Sequence, residues 1–405
     1  MGKKKVVCDM ALNIVSVAVP SCILQLLILP KISNYVSGNT YGLMITILAL
    51  MNTIPSTFGN VLNNVRLLHR NNLNDPKGND VTVLFFVVEA MNVVFLLIIS
   101  MIYLGSLDVV GIVLTVLTGI VWLAADYHSV AYRLDLDYVG VFISNVLMSV
   151  GYCVGYSLFL INNRWQWIYI IGFLCFYLYL IAIKKSRIIL EVPQRSASFS
   201  SCVKDTLFLS GANVLGRAVN YADKVLMYPI MGGEGVAIYF AATLLGKVVS
   251  MVITPVNSVA LSYISRCTKR PDEIFKWTVI VGGIICAIGY FFAVVIGKPV
   301  LDYLYPSYAD EAIKYIYITS ASVVVQVFTS IITPFVIKFC NTTWQIVINL
   351  VTTIIYILVS LSLVTSLGIT GFCIGVLIAN IVKMIITIWT YYRRGLSEKD
   401  LATMG

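Results

Sequence analysis

Four polar residues between positions 211 and 231 fall at a helical spacing. Asn213, Arg217, Asn220 and Lys224 stand at i, i+4, i+7 and i+11. At about 100° per residue they share roughly 60° of arc on one helix. Asp223 stands beside Lys224, so Arg217, Asp223 and Lys224 fall within the segment GRAVNYADKVLMYPIMGG (216–233). That segment is part of a stretch long enough to cross a bilayer, where an isolated charge costs roughly 2.5–3.5 kcal/mol on insertion scales. A stripe of Arg, Lys and Asn suits an anion, because guanidinium and ammonium groups in a low-dielectric cavity favour phosphate. A path for organic cations would need the opposite sign.

The elements that position this stripe are apolar helices. Of 405 residues 59% are hydrophobic and 12% charged, whereas a soluble domain carries about 25% charged residues. Apolar stretches of about 20 residues mark transmembrane helices, not barrel strands. Hydropathy predicts twelve of them, at 8–29, 41–64, 81–104, 107–125, 138–160, 167–183, 205–230, 235–263, 277–297, 313–337, 343–365 and 369–391. The basic start MGKKK followed by an apolar run resembles a signal, but Asp9, Asn13 and Gln25 lie within the run. It is read as a retained first helix. Pro20, Pro55, Pro255 and Pro334 are predicted kinks.

An even number of helices puts both termini on one side. Of the 28 Lys and Arg residues, 20 fall on that side, and only Lys31, Arg164, Lys298 and Lys314 fall opposite. The positive-inside rule then makes both termini cytoplasmic. The net charge of +9 therefore reads as topology, and no nucleic-acid partner is expected. The nine cysteines show no CxxC, and His69 and His128 are the only histidines. No metal site and no Ser-His triad is expected. Without GxxxxGK[ST] there is no P-loop, so any energy comes from a gradient or from downstream consumption.

The expected architecture is all-α: an N-lobe over 1–183 (helices one to six), a basic, Ser-rich cytoplasmic linker over 184–204, and a C-lobe over 205–405 (helices seven to twelve). The halves match at an offset of 200, which pairs Asn13 with Asn213, Pro55 with Pro255, Arg66 with Arg266 and Arg70 with Arg270. Six helices per repeat give parallel repeats, whose transporters bind substrate near the midplane between them. Polar stripes recur on helices one and two of each repeat: Asp9, Asn13 and Ser16; Asn52, Ser56, Asn60 and Asn63; the stripe on helix seven; and Thr243, Lys247, Thr254 and Ser258. A wet cavity walled by helices one, two, seven and eight accounts for all four. Interhelical hydrogen bonding is the competing reading for each Asn, Ser and Thr. Arg217 and Lys247 compete as members of buried ion pairs. Asp223 faces away from the stripe by its angle, and Lys247 is its expected partner.

Several segments resemble the polysaccharide-transporter branch of the multidrug/oligosaccharidyl-lipid/polysaccharide exporter superfamily, the O-antigen and capsule repeat-unit flippases. They are NYADKVLMYPIMGGEGVAIYFAATLLGKVVSMVITPVNSVALSYISR (220–266), YPSYADEAIKYIYI (305–318), LGITGFCIGVLIANIVKMIITIWTYYRR (367–394) and YVSGNTYGLMITILALMNTIPSTFGNVLNNVRLL (35–68). The resemblance implies a V-shaped pair of six-helix lobes in a bacterial inner membrane. It implies a substrate of undecaprenyl-pyrophosphate carrying an oligosaccharide, moved to the outer leaflet by alternating access. It also implies that Arg217 and Lys224 contact the anionic head. Asn213, Asn220, Asn13, Asn52, Asn60 and Lys247 complete the expected substrate-binding set. No cofactor is expected beyond H+ or Na+ coupling, for which Asp223, Glu89 and Asp9 are the candidates. Membrane lipids, a polysaccharide polymerase and a chain-length regulator are the candidate partners. Two other readings stay open: a cation-coupled drug or metabolite antiporter, and a membrane transferase using LDLDY (134–138).

Overall fold

The computed structural model describes residues 3–69, 80–135, 137–183, 187–196, 199–248, 270–340 and 342–393. Within these ranges it describes all side chains except those of 3–11, 68, 183, 187, 212–222 and 342. The described elements are almost all helical, and they divide into twelve rods in chain order. Helix α1 runs Lys3–Cys22 and continues through a π-helical stretch, Ile23–Ile28, into Leu29–Ser33. Helix α2 runs Gly38–Met51, passes a π turn at Pro55–Gly59 and resumes over Asn60–Leu68. Then come α3 (Asp80–Leu104), α4 (Val109–His128, with a further turn at Val130–Asp135), α5 (Tyr138–Asn162) and α6 (Gln166–Leu178, ending in a π turn at Tyr179–Ile183).

The helical stretch Phe199–Ala242 is broken at Gly232 (φ 68°) into α7 and α8. After α9 (Asp272–Leu304) and α10 (Ala309–Phe339), the stretch Thr342–Arg393 is broken at Gly368 (φ 59°) into α11 and α12. Both breaks need a left-handed backbone, which glycine adopts without steric cost. Nine described stretches are long and apolar enough to cross a membrane; the last, Thr343–Arg393, holds both α11 and α12, and Gln166–Ala182 is apolar but shorter.

The expected helices are present as far as the described residues run, with two differences of register; of the eighth, expected over 235–263, residues 235–248 are described. Helix α7 begins at Phe199 instead of 205, because Cys202, Thr206 and Ser210 recur every four residues and are all buried. The serines around them hide an amphipathic turn. The predicted kink at Pro55 takes the form of a π turn, since proline has no N–H to continue the ladder. Pro255 lies outside the described residues.

The chain forms two compact units. The first comprises residues 1–29 and 43–225. Its core packs Val61, Leu62 and Val65 of α2 against Val81, Leu84, Phe85 and Val88 of α3, with Leu123 and Tyr127 of α4 and Cys202 of α7. Helices α5 and α6 approach closely at small residues: a methyl on Gly155 would lie 2.5 Å from Ile168 Cα, and one on Gly151 2.7 Å from the Ile171 carbonyl oxygen. Such contacts drive association in lipid, where burial offers no hydrophobic gain. Helix starts are capped: Asp108 accepts from Gly111 N–H at 3.1 Å, and Asp137 accepts from Gly140 N–H at 2.8 Å. Asp137 of LDLDY is thereby used as a cap.

The second unit comprises residues 30–42 and 226–405. Phe275 of α9 stacks on Tyr391 of α12 with ring centroids 3.7 Å apart, and Phe335 and Phe339 of α10 complete the cluster. Polar links cross between helices: Asn380 Nδ2 donates to Ser322 Oγ at 2.9 Å, and Thr319 Oγ1 donates to the Ala242 carbonyl at 3.0 Å. The α9 face carrying Ile284, Ile288, Phe291 and Val295 is exposed and apolar, as a lipid-facing helix requires.

Candidate functional site

Helix α7 keeps a helical backbone from Phe199 to the break at Gly232. The spacing of 213, 217, 220 and 224 therefore places those four positions on one face. Among them, the described side chain is that of Lys224, which is buried, at 8% exposure. Its Nζ lies 2.5 Å from Asp223 Oδ1, and the same oxygen accepts the Lys224 backbone N–H at 2.9 Å. The side chains of Asn213, Arg217, Asn220 and Asp9 lie outside the described residues. So do Thr254, Ser258 and Arg266.

This arrangement revises the partner expected for Asp223. Lys224, the adjacent residue, neutralises it, because the flexible lysine stem curls across the 100° between them. Lys247 of α8 instead folds back along its own helix. Its Nζ sits 3.3 Å from the centroid of the Phe240 ring and 3.5 Å from the Phe240 carbonyl oxygen. A cation over an aromatic face is a favourable contact when partly desolvated. Thr243, expected beside Lys247, donates to the same carbonyl at 3.0 Å.

In the first unit the polar stripe of α2 divides in two. Asn63 is buried and donates to the Asp126 carbonyl at 2.9 Å and to Ser129 Oγ at 3.3 Å, tying α2 to α4. Ser56 donates to the Thr53 carbonyl at 3.3 Å. Both do the interhelical and local work that polar residues do in packed helices. Asn52 and Asn60 are half-buried, and Asn13 is exposed on α1. Ser16 is buried and donates to the Asn13 carbonyl at 2.8 Å. Glu89 lies on α3, with both carboxylate oxygens buried.

Two polar constellations were missed in the sequence. The first surrounds Arg66, which counted there as a topological charge. It is 2% exposed, donates Nη1 to the Tyr127 hydroxyl at 2.7 Å, and pairs through Nη2 with Glu191. Thr82 donates to the second Glu191 oxygen at 3.2 Å. Five residues on, Ser196 donates its backbone N–H to Asp80 Oδ1 at 2.6 Å and its hydroxyl to Oδ2. The segment after α6 is thereby strapped to the end of α2 and the start of α3. The signal for it was present: Glu191 is the only acid among the basic residues of 184–204.

The second constellation lies in the second unit, around the α1–α2 turn. Tyr41 is fully buried. Its hydroxyl lies 3.2 Å from that of Tyr305, its ring stacks on Tyr308 at 6.2 Å, and it meets Phe240 edge-on at 6.1 Å. Asn39 Oδ1 accepts from Glu234 N–H at 3.2 Å. Gly42 and Gly233 touch backbone to backbone. Burial pushes the Tyr305 hydroxyl well above its ordinary value, while the hydrogen bond to Tyr41 acts the other way. The Tyr308 hydroxyl is raised by burial and by the nearby Glu234 carboxylate.

No family model matches the chain, and no curated protein matches it. Solved structures do. The lipid II flippase MurJ in an inward closed conformation matches with a TM-score of 0.71 at 13% identity, over 98% of this chain and 90% of that one. A multidrug resistance MATE family transporter of the MOP superfamily, inward-facing, matches with a TM-score of 0.65 at 14% identity, over 97% and 96%. A MATE structure in complex with MaD3S matches with a TM-score of 0.66 at 13% identity, over 99% and 97%. The superfamily fold expected from the sequence is thus present along essentially the whole chain. Its many long apolar helices make it a multi-pass membrane protein, and its fold is that of the MOP-superfamily transporters.

Proposed function

We propose that the chain is a flippase for a polyprenyl-pyrophosphate-linked oligosaccharide, undecaprenyl-pyrophosphate carrying a sugar repeat unit. On this reading it works by alternating access in a bacterial inner membrane, with both termini cytoplasmic, in O-antigen, capsule or exopolysaccharide synthesis. A sugar-pyrophosphate head cannot cross hydrocarbon unaided. A basic, wetted path lets it pass while the prenyl tail stays in lipid.

The observation that carries the reading is Lys224, a buried lysine on the α7 face that also holds position 217. Because Asp223 already neutralises Lys224, Lys224 adds no net charge to the stripe. Arg217 is therefore assigned the pyrophosphate, Lys224 and Lys247 a supporting role, and Asn213, Asn220, Asn13, Asn52 and Asn60 the sugar. The likeness to a lipid II flippase agrees with this choice.

Export of the lipid-linked sugar by Arg217 variants tests it. Arg217→Glu should abolish export, and Arg217→Lys should retain part of it, since lysine keeps the charge and loses the bidentate fork. Normal export by Arg217→Glu at normal membrane abundance would contradict the assignment.

The equally long likeness to MATE structures favours a second reading, a cation-coupled antiporter. Glu89 and Asp9 are its coupling candidates, because Asp223 is held in an ion pair.

A further inference from the structure

The first unit contains a cavity of about 280 Å³ that no residue of the α7 stripe lines. It lies where α3 begins, α4 ends and the segment 188–191 passes over both. Phe85, Phe86 and Glu89 of α3, His128 of α4, and Ile188 and Glu191 of the strap line it. Most of its surface is apolar, so the few polar groups decide what it holds.

Those groups offer acceptors and no spare donor. Both carboxylate oxygens of Glu89 are buried and have no hydrogen-bond partner among the described residues. Its polar neighbour on α3, Asn92, sends Nδ2 to the Gly119 carbonyl at 3.2 Å. His128 Nδ1 lies 2.8 Å from the Ala124 carbonyl oxygen and 2.9 Å from the Tyr177 hydroxyl. A carbonyl can only accept, so Nδ1 carries the proton and Nε2 of the neutral ring is an acceptor. The Thr82 hydroxyl is taken by Glu191.

Charge points the same way. Glu191 is balanced by Arg66. Glu89 has no basic partner among the described ion pairs, so in its ionised form it leaves the cavity short of one positive charge. A buried carboxylate without donors is costly until a cation reaches it. The rings of Phe85 and Phe86 favour a cation with organic character. Phe86 is 53% exposed, at the edge of the exposed apolar face of α3 that carries Val87, Val94 and Ile98. One side of the cavity therefore borders the surface that lipid would cover.

We propose that this cavity binds a primary ammonium group carried on an apolar body. The ammonium supplies three N–H donors and one positive charge to Glu89 and His128. The apolar body packs on Phe85, Phe86 and Ile188. The amine can belong to a free amphiphilic molecule or to the headgroup of an aminophospholipid. The inference is independent of what the α7 stripe carries, since it concerns a separate cavity and a binding measurement.

The test uses the full-length protein in nanodiscs of phosphatidylglycerol. Binding of n-octylammonium is compared with that of n-octanol by calorimetry. The ammonium should saturate at one site and bind about tenfold or more tightly, the size of one tenfold step in affinity. Equal binding of the two probes to wild type would overturn the proposal, whatever the variants do. Glu89→Gln should remove the preference for the ammonium while leaving octanol binding unchanged, and Glu89→Asp should keep part of it. A folded Glu89→Gln protein with the preference intact would also overturn it. A second set of nanodiscs, half phosphatidylethanolamine, separates the sources. Weaker octylammonium binding there identifies the lipid headgroup as the occupant, and unchanged binding identifies a free amine.

Discussion

Gly42 and Gly233 meet backbone to backbone, so that a methyl group on Gly42 would fall on the Gly233 carbonyl. The contact brings the first turns of α2 against the turn between α7 and α8, and Tyr41 closes it over Tyr305 and Tyr308. The two segments come from opposite halves of the sequence yet fall in one compact unit. Gly42→Ala is expected to force them apart and to lower stability by about 1–3 kcal/mol, the usual cost of overpacking. A melting temperature of the purified protein equal to wild type would show that the approach is looser than this.

The Lys224–Asp223 pair is largely buried, with side-chain exposures of 10% and 16%. Removing one partner of such a pair costs about 3–5 kcal/mol, because the other charge is stranded. Asp223→Asn should therefore lower membrane abundance sharply. The double variant with Lys224→Gln should regain most of it, though not transport. Abundance of the two single variants and the double forms a cycle, and additive losses would mean that the residues are not coupled.

One ion pair outside the helices gives a pH signature. The Arg164 guanidinium donates to Asp108 Oδ2 at 2.6 Å, and with Gly111 N–H it holds the Asp108 carboxyl below its ordinary value. A depressed carboxylate contributes stability above its unfolded-state pKa of about 3.9 and loses it as pH falls through the lower folded value. The thermal stability of wild type relative to Asp108→Asn should be constant from neutral pH to about pH 5 and shrink below about pH 4. A difference that stayed constant through that range would argue against the pair.

How much of this was legible in the sequence depends on the range of the interaction. Helix α3, expected at 81–104, is Asp80–Leu104, because apolar length and the acidic residue at its start are local signals. The breaks at Gly232 and Gly368 fall in the gaps between predicted helices, 231–234 and 366–368. The strap was half legible: Glu191 stands out as the only acid of 184–204, but Arg66 lies 125 positions away, and no periodicity pairs the two. Asp223 was misassigned for another reason. Helical angles treat side chains as rigid spokes, whereas lysine reaches a neighbour through four flexible carbons. Asn63 read as a cavity residue and is a link to α4, since an asparagine's partner is set by the facing helix.

The central claim is that the α7 stripe serves an anionic lipid head. Its most direct measurement reconstitutes the protein in liposomes with a fluorescent, short-chain polyprenyl-pyrophosphate disaccharide. A membrane-impermeant quencher reports which leaflet holds the label, and a fluorescent organic cation is run in parallel. The account predicts that the wild-type protein moves the pyrophosphate lipid between leaflets faster than protein-free liposomes do, and that Arg217→Glu does not. Movement of the organic cation alone, with the pyrophosphate lipid as static as in empty liposomes, would contradict it.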